Sequence, residues 1–176
     1  MSCVLLRKCL TKAEDSLYSK LSPQARQHVK RELLSALQQE QVGEIRRKLV
    51  YCVSGLASGL IEGGDYPELI PTLFNWCKPE TPPALRESAL GVFTQLATFL
   101  LEKGLEPYLR DLKNVFSASL KDSNSKIRLA ALEATSSVIL VINKKQRQGF
   151  VDLIPLMLQV SCFNLFLIII GTCKST

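Results

Sequence analysis

One histidine, one tryptophan and two methionines occur in 176 residues, and only 7 % of the chain is aromatic. His28 alone cannot build a multi-imidazole metal shell. None of the six cysteines (Cys3, Cys9, Cys52, Cys77, Cys162, Cys173) forms a C-x-x-C pair, so the usual zinc spacings are missing and no metal site is assigned. No glycine-rich phosphate loop follows a strand, and no Ser or Cys stands with a placed base. No catalytic residue and no cofactor follow from this sequence, and it is not read as an enzyme. No N-x-[ST] sequon occurs, and scattered unpaired thiols point to a reducing, intracellular compartment. Arg7 and Lys8 interrupt the apolar stretch Cys3 to Leu6, which is too short for a signal peptide. No stretch alternates with a period of two, so no strand is expected.

Charge is present but dispersed. The 22 basic and 16 acidic residues leave a net charge of +6. The clusters Lys30-Arg31, Arg46-Arg47-Lys48 and Lys144-Lys145-Gln146-Arg147 each begin or end a helical pattern. A nucleic-acid reader joins such clusters into one stripe with aromatics among them, whereas the aromatics here sit at apolar positions. Solvated helix faces and helix-end charges explain the excess, and no nucleic-acid partner is expected.

What the chain does have is repetition. Glu44-Ile45-Arg46, Ala84-Leu85-Arg86 and Lys126-Ile127-Arg128 open three similar stretches, each continuing with small and aliphatic residues at helical spacing. The arginines at 46, 86 and 128 are separated by 40 and then 42 residues, within the ~40–47-residue period of HEAT and armadillo arrays. A second pattern shares the period. Glu68-Leu69-Ile70-Pro71-Thr72-Leu73 returns as Asp152-Leu153-Ile154-Pro155-Leu156-Met157, 84 residues or two periods later. Two interleaved helical patterns predict an all-α fold, a HEAT-repeat solenoid of antiparallel helix pairs, and move the functional question from catalysis to surface binding.

The apolar spacing predicts helices over Ser2 to about Leu21, Pro23 to Gln41, Glu44 to Ile61, Pro67 to Cys77, Ala84 to Lys103, Pro107 to Leu120, Lys126 to Asn143, and from near Gln146 onward. The corresponding units are an orphan second helix over 1–21, repeats over 22–63, 66–104 and 107–143, the first helix of another repeat from 146, and a tail over 160–176. Leu49, Val53, Leu90, Phe93, Ala130, Ala134 and Val138 fall on the apolar stripes and are expected to be buried. Pro71 lies in its helix's first turn, while Pro155 is expected deeper and should bend its helix.

Asp122 followed six residues later by Arg128 resembles the HEAT pattern, in which an Asp of the intra-repeat turn and an Arg of the second helix form a ladder between repeats. Arg46, Arg86, Asp122 and Arg128 are the expected ladder residues. Only the third repeat carries the Asp, so the ladder should be partial. The order of elements is similar to the amino-terminal repeats of the importin-beta-3 (importin-5) subfamily of nuclear transport receptors, over about Cys3 to Gln159. Val4-Leu5-Leu6-Arg7-Lys8, Arg31-Glu32-Leu33-Leu34, Arg47-Lys48 and Leu85-Arg86-Glu87-Ser88-Ala89-Leu90 carry it in collinear order. The resemblance implies a carrier moving between cytoplasm and nucleus that binds Ran-GTP, phenylalanine-glycine (FG) nucleoporins and protein cargo. It also implies that the chain is a fragment, with Met1 inside the second repeat. The second helices of early repeats face Ran in that family, and Lys48, Glu87, Lys126 and Glu133 are the polar residues expected to project from them. The alternative is another HEAT scaffold subunit, which need not share the similarity in Cys3–Leu10 and Leu85–Phe93.

Val160 to Thr176 lies beyond both the resemblance and the helical periodicity. Its run from Cys162 to Ile170 reads as apolar on every face. Leu153 to Cys173 reaches the ~20 uncharged residues that can cross a bilayer. Pro155, Gln159 and Asn164 argue against a span, so a membrane partner is not expected. Gln159-Val160-Ser161 matches an in-frame splice donor, and intron read-through is the preferred origin of this tail.

Overall fold

The computed structural model describes residues 17–61, 64–102 and 106–162. Most of the helix expected over Ser2–Leu21 lies outside them, as does the apolar run after Cys162. The described chain is a succession of helices: α1 (Leu17–Lys20), α2 (Pro23–Gln39), α3 (Gly43–Leu60), α4 (Leu69–Trp76), α5 (Pro83–Glu102), α6 (Leu109–Leu120), α7 (Ser125–Val141), α8 (Lys144–Gln148) and a helix over 154–162, α9. No strand occurs among the described residues.

Local chemistry sets the helix ends. Ser22 accepts a hydrogen bond from Ala25 N at 3.3 Å ahead of Pro23, whose missing N–H is harmless at the first helical position. Asn124 caps α7 through Lys126 N at 2.9 Å. Asn143 and Gln146 form a reciprocal capping box at α8, with bonds of 3.1 and 2.9 Å. After α3 the chain reverses through Gly64, whose φ of 69° lies in the left-handed region that glycine alone enters without strain.

Two layers result. The helices carrying the arginine pattern, α3, α5 and α7, lie side by side with α5 in the middle. The other member of each pair covers them: α2 on α3, α4 on α5, α6 on α7. The central helix is therefore packed from three directions, and Ala89, Leu90, Val92, Phe93, Leu96 and Ala97 are all buried. Phe93 ties neighbouring repeats together. Its ring lies 5.4 Å from that of Phe74 and 6.4 Å from that of Phe116, the second contact edge-on. This is an all-α helical-repeat solenoid, as the period requires.

Polar links join successive repeats. Between the first and second, the buried Lys30 Nζ donates to Asp65 O at 2.6 Å and lies 5.4 Å over the Tyr66 ring. Tyr66 Oη in turn donates to Lys30 O at 3.1 Å. Arg86 Nη1 donates to Asp122 Oδ2 between the second and third. Lys113 Nζ reaches Asp152 Oδ1 at 2.9 Å at the start of the next. Only Arg86 of the three register arginines crosses a repeat boundary in these bonds. Arg46 donates to Glu40 O, and Arg128 donates to Asp122 O and Ser123 O, so each secures its helix to its own turn.

Two expectations fail. Ala130 is only half-buried, because α7 turns Ile127, Ala131, Ala134, Thr135 and Val138 toward the core, while Leu49, Val53, Leu90, Phe93, Ala134 and Val138 are buried as expected. Pro155 does not sit deep in a helix. The chain reaches it through α8, a turn at Gly149–Phe150 and a 3-10 turn over Val151–Leu153, so it falls in the first turn of α9. There its absent N–H breaks no bond and imposes no bend. Helix α9 also continues through the buried Val160 to residue 162, past the point at which the sequence pattern ends.

Candidate functional site

The side of α3, α5 and α7 turned away from the covering helices forms one groove of about 710 Å³, lined by residues of all three. Its geometry follows from the repeat register. Residues one position after each register arginine are Arg47, Glu87 and Leu129; residues five positions after are Tyr51, Gly91 and Glu133. All six line the groove. Two positions before the arginine stand Glu44, Ala84 and Lys126, which line it as well. Three parallel stripes, on helices related by one repeat, thus present three rows across the groove.

Of the four polar residues expected to project, the structure brings Glu87, Lys126 and Glu133 together on this surface. Lys48 is not among the lining residues. Its ammonium donates to Glu44 Oε1 at 2.8 Å, one helical turn back. That hydrogen bond first, then the Lys48 charge and the nearby Arg47, hold the Glu44 carboxyl below the usual carboxylate range. Arg47, Tyr51 and Gly91 are not among the residues expected from sequence to project toward a partner, although the signal was available. Glu87 and Glu133 define two register positions, and the same positions in the first two repeats name these three residues.

The groove is mixed in character. Arg46, Arg47 and Lys126 supply positive charge and Glu44, Glu87 and Glu133 supply negative charge. Tyr51 and Leu129 contribute exposed apolar surface, at 47 % and 42 % exposure. Among the described residues no group of three or more His, Cys, Asp or Glu side chains is placed to hold a metal ion. Burial pushes the Cys77 thiol up to about 12, far from a nucleophile's range. The groove offers surface for a macromolecular partner: charges of both signs, apolar contact, and a breadth of three helices.

A second concavity, of about 500 Å³, lies between α7 and the segment from α8 to α9. Leu132, Ile139, Phe150, Ile154, Met157 and Leu158 line it, and it is almost wholly apolar. No described helix is long and apolar enough to cross a membrane.

The model of one protein family, described as IPO5-like TPR repeats, matches residues 41–162. TPR units are helix pairs of ~34 residues, and the 40- and 42-residue spacings here are longer, at the HEAT end of the helix-pair repeats. The match spans well over half of the chain and takes in all three inner helices with the groove they line. The chain belongs to the IPO5-like family of importin-type helical-repeat proteins.

Proposed function

We propose that this chain serves in nuclear import, as a segment of a transport receptor whose inner groove contacts Ran in its GTP-bound form. The supporting observation is that the family match covers the groove, and that Glu87, Lys126 and Glu133, named from the resemblance as Ran-facing residues, line it together. Lys48 joins them through Glu44, whose carboxylate it holds at the groove edge. On this reading the chain works by binding and not by catalysis, and moves between cytoplasm and nucleus. FG nucleoporins and protein cargo, which the resemblance also implies, are further partners of the same receptor.

The charge pattern suits a switchable protein partner. Charged groups of both signs on an exposed groove reward one orientation and penalise others, which gives specificity more than bulk affinity. The test is retention of Ran on the immobilised chain, with Ran loaded either with a non-hydrolysable GTP analogue or with GDP. The GTP form should be retained in excess, and Glu87→Lys with Glu133→Lys should weaken retention most at low salt, since exposed charges are screened within about 8 Å at physiological ionic strength. Equal retention of both forms, or of neither, overturns the assignment.

A further inference from the structure

Gly91 stands in the middle of α5, where the fold does not need a glycine. Its backbone φ is not positive, and a Cβ added there would meet Val50 Cγ1 at 3.5 Å, an ordinary contact. A glycine inside a helix is destabilising relative to alanine. Neither backbone nor packing therefore accounts for it, but its position in the groove does. In its register row it lies between Tyr51 of α3 and Glu133 of α7, and Glu87 stands one helical turn before it on α5 itself. The missing side chain leaves a seat bordered by an aromatic ring on one flank and carboxylates on the other two.

We propose that this seat receives an arginine side chain of the partner protein. Its aliphatic stem would lie over the bare backbone at Gly91, and its planar guanidinium would stack on Tyr51 while donating to Glu133 and Glu87. Each part of that ligand meets a matching feature. A guanidinium prefers an aromatic face and offers paired N–H donors to a carboxylate, which a lysine ammonium does not match in shape. Tyr51 is 47 % exposed, so its ring is accessible. Glu87 and Glu133 have no hydrogen-bond or ion-pair partner among the described residues, so both carboxylates are available. Of the positive groups of the groove, Arg46 is held by Glu40 O, and Arg47 and Lys126 stand in the other two rows, where they fit acidic neighbours of the inserted arginine. This proposal rests on the reading of the groove as a partner site and names the chemistry recognised there.

The test separates the two ideas. In an amide-resolved NMR titration, N-acetyl-arginine methylamide should give saturable shifts at Gly91, Tyr51 and Glu133, and its citrulline analogue should give none. Gly91→Leu, which fills the seat, should abolish those shifts. Glu133→Gln should weaken binding about tenfold through loss of one charge-assisted hydrogen bond. Gly91→Ala should raise the melting temperature yet weaken arginine binding. Gly59→Ala, at another helical position with open space around it, should raise stability and leave binding unchanged. A glycine serving packing alone would give the reverse for Gly91→Ala. Shifts equal with citrulline, scattered over the surface, or retained in Gly91→Leu overturn the proposal. A wild-type chain that binds arginine at this seat but shows no nucleotide-dependent retention of Ran would overturn the receptor assignment and leave the seat standing.

Discussion

Replacing Asp122 by alanine should uncouple the second repeat from the third. The Asp122 and Arg86 side chains are 13 % and 14 % exposed, so their ion pair is largely shielded from water. Asp122 Oδ2 accepts from Arg86 Nη1, while Oδ1 accepts from Asn124 N at 2.8 Å and shapes the turn into α7. Asp122→Ala removes one hydrogen bond between charged groups, about 1.5–3 kcal/mol, and one to a backbone N–H, about 0.5–1.5 kcal/mol. It also leaves a mostly buried guanidinium whose Nε already lacks a partner among the described residues. The expected loss is about 3 kcal/mol, which lowers the melting temperature by roughly 6–12 °C in a chain of this size. Arg86→Met keeps most of the side-chain volume and spares the turn, so it should cost about 2 kcal/mol. The double variant should be less destabilised than the sum, with a coupling energy of about 1.5 kcal/mol. Urea denaturation followed by circular dichroism measures all four members of the cycle. Asp152→Ala is the control, because its pair with Lys113 leaves the carboxylate 63 % exposed and should yield no resolvable change. A loss under about 0.5 kcal/mol for Asp122→Ala, or strict additivity in the cycle, would refute the view that this rung joins the repeats.

Three further outcomes are expected. Peptide-resolved iodoacetamide labelling at pH 8 should modify the exposed Cys162 readily and spare Cys77 until the chain unfolds, because a thiol with a pKa of about 12 is ~10⁻⁴ thiolate at that pH. Stability should fall as pH rises past about 10, because tyrosines of the unfolded chain ionise there while burial holds the Tyr66 pKa higher. Its raised folded value makes this contribution complete below the unfolded pKa and lost above it, so Tyr66→Phe should flatten the alkaline limb of a melting-temperature profile. Phe93→Ala should cost about 3–5 kcal/mol, the loss typical of emptying a large aromatic site, and should sharply reduce unfolding cooperativity; a loss below 1 kcal/mol would contradict its place between Phe74 and Phe116.

The repeat period was visible because it resides in residues that must recur. The inner helices need small and aliphatic residues where they abut, and each register arginine bonds a turn: Arg46 and Arg128 the carbonyls of the turn before their own helix, Arg86 the carboxylate in the turn of the next repeat. Glu87, Lys126 and Glu133 share one surface because the positions they hold, one after, two before and five after a register arginine, all line the groove. Lys48 stands two positions after its arginine, where the other helices carry Ser88 and Ala130. Those two line the groove, whereas the long Lys48 side chain reaches back to Glu44 instead, which spacing alone does not reveal. Ala130 was misjudged because Ala130 and Ala131 are equally apolar, and only the rotation of α7 against α5 and α6 decides which is buried. Pro155 was misjudged because Leu153-Ile154-Pro155 resembles Leu69-Ile70-Pro71 residue for residue, yet neither string reveals where its helix begins. The capping box at Asn143 starts a short helix that Gly149 ends, and the chain must start again before the proline. Gly91 carried no signal by itself, since a glycine in a helical pattern takes on meaning only beside the residues of adjacent helices.

The links between repeats do not all lie along one edge of the stack. The Lys30 staple fastens the covering layer at the first joint, the Arg86–Asp122 pair fastens the inner helix to the next turn at the second, and Lys113–Asp152 returns to the covering layer at the third. A stack pinned on one side at each joint opens like a hinge on the side left unpinned. Pulling on its ends would therefore change the breadth of the inner groove differently at each joint. Because each repeat touches only its neighbours, tension passes through the joints in series and the softest joint sets the extension of the whole. The exposed Lys113–Asp152 link, weakened by solvent and salt, is where such a spring would stretch first.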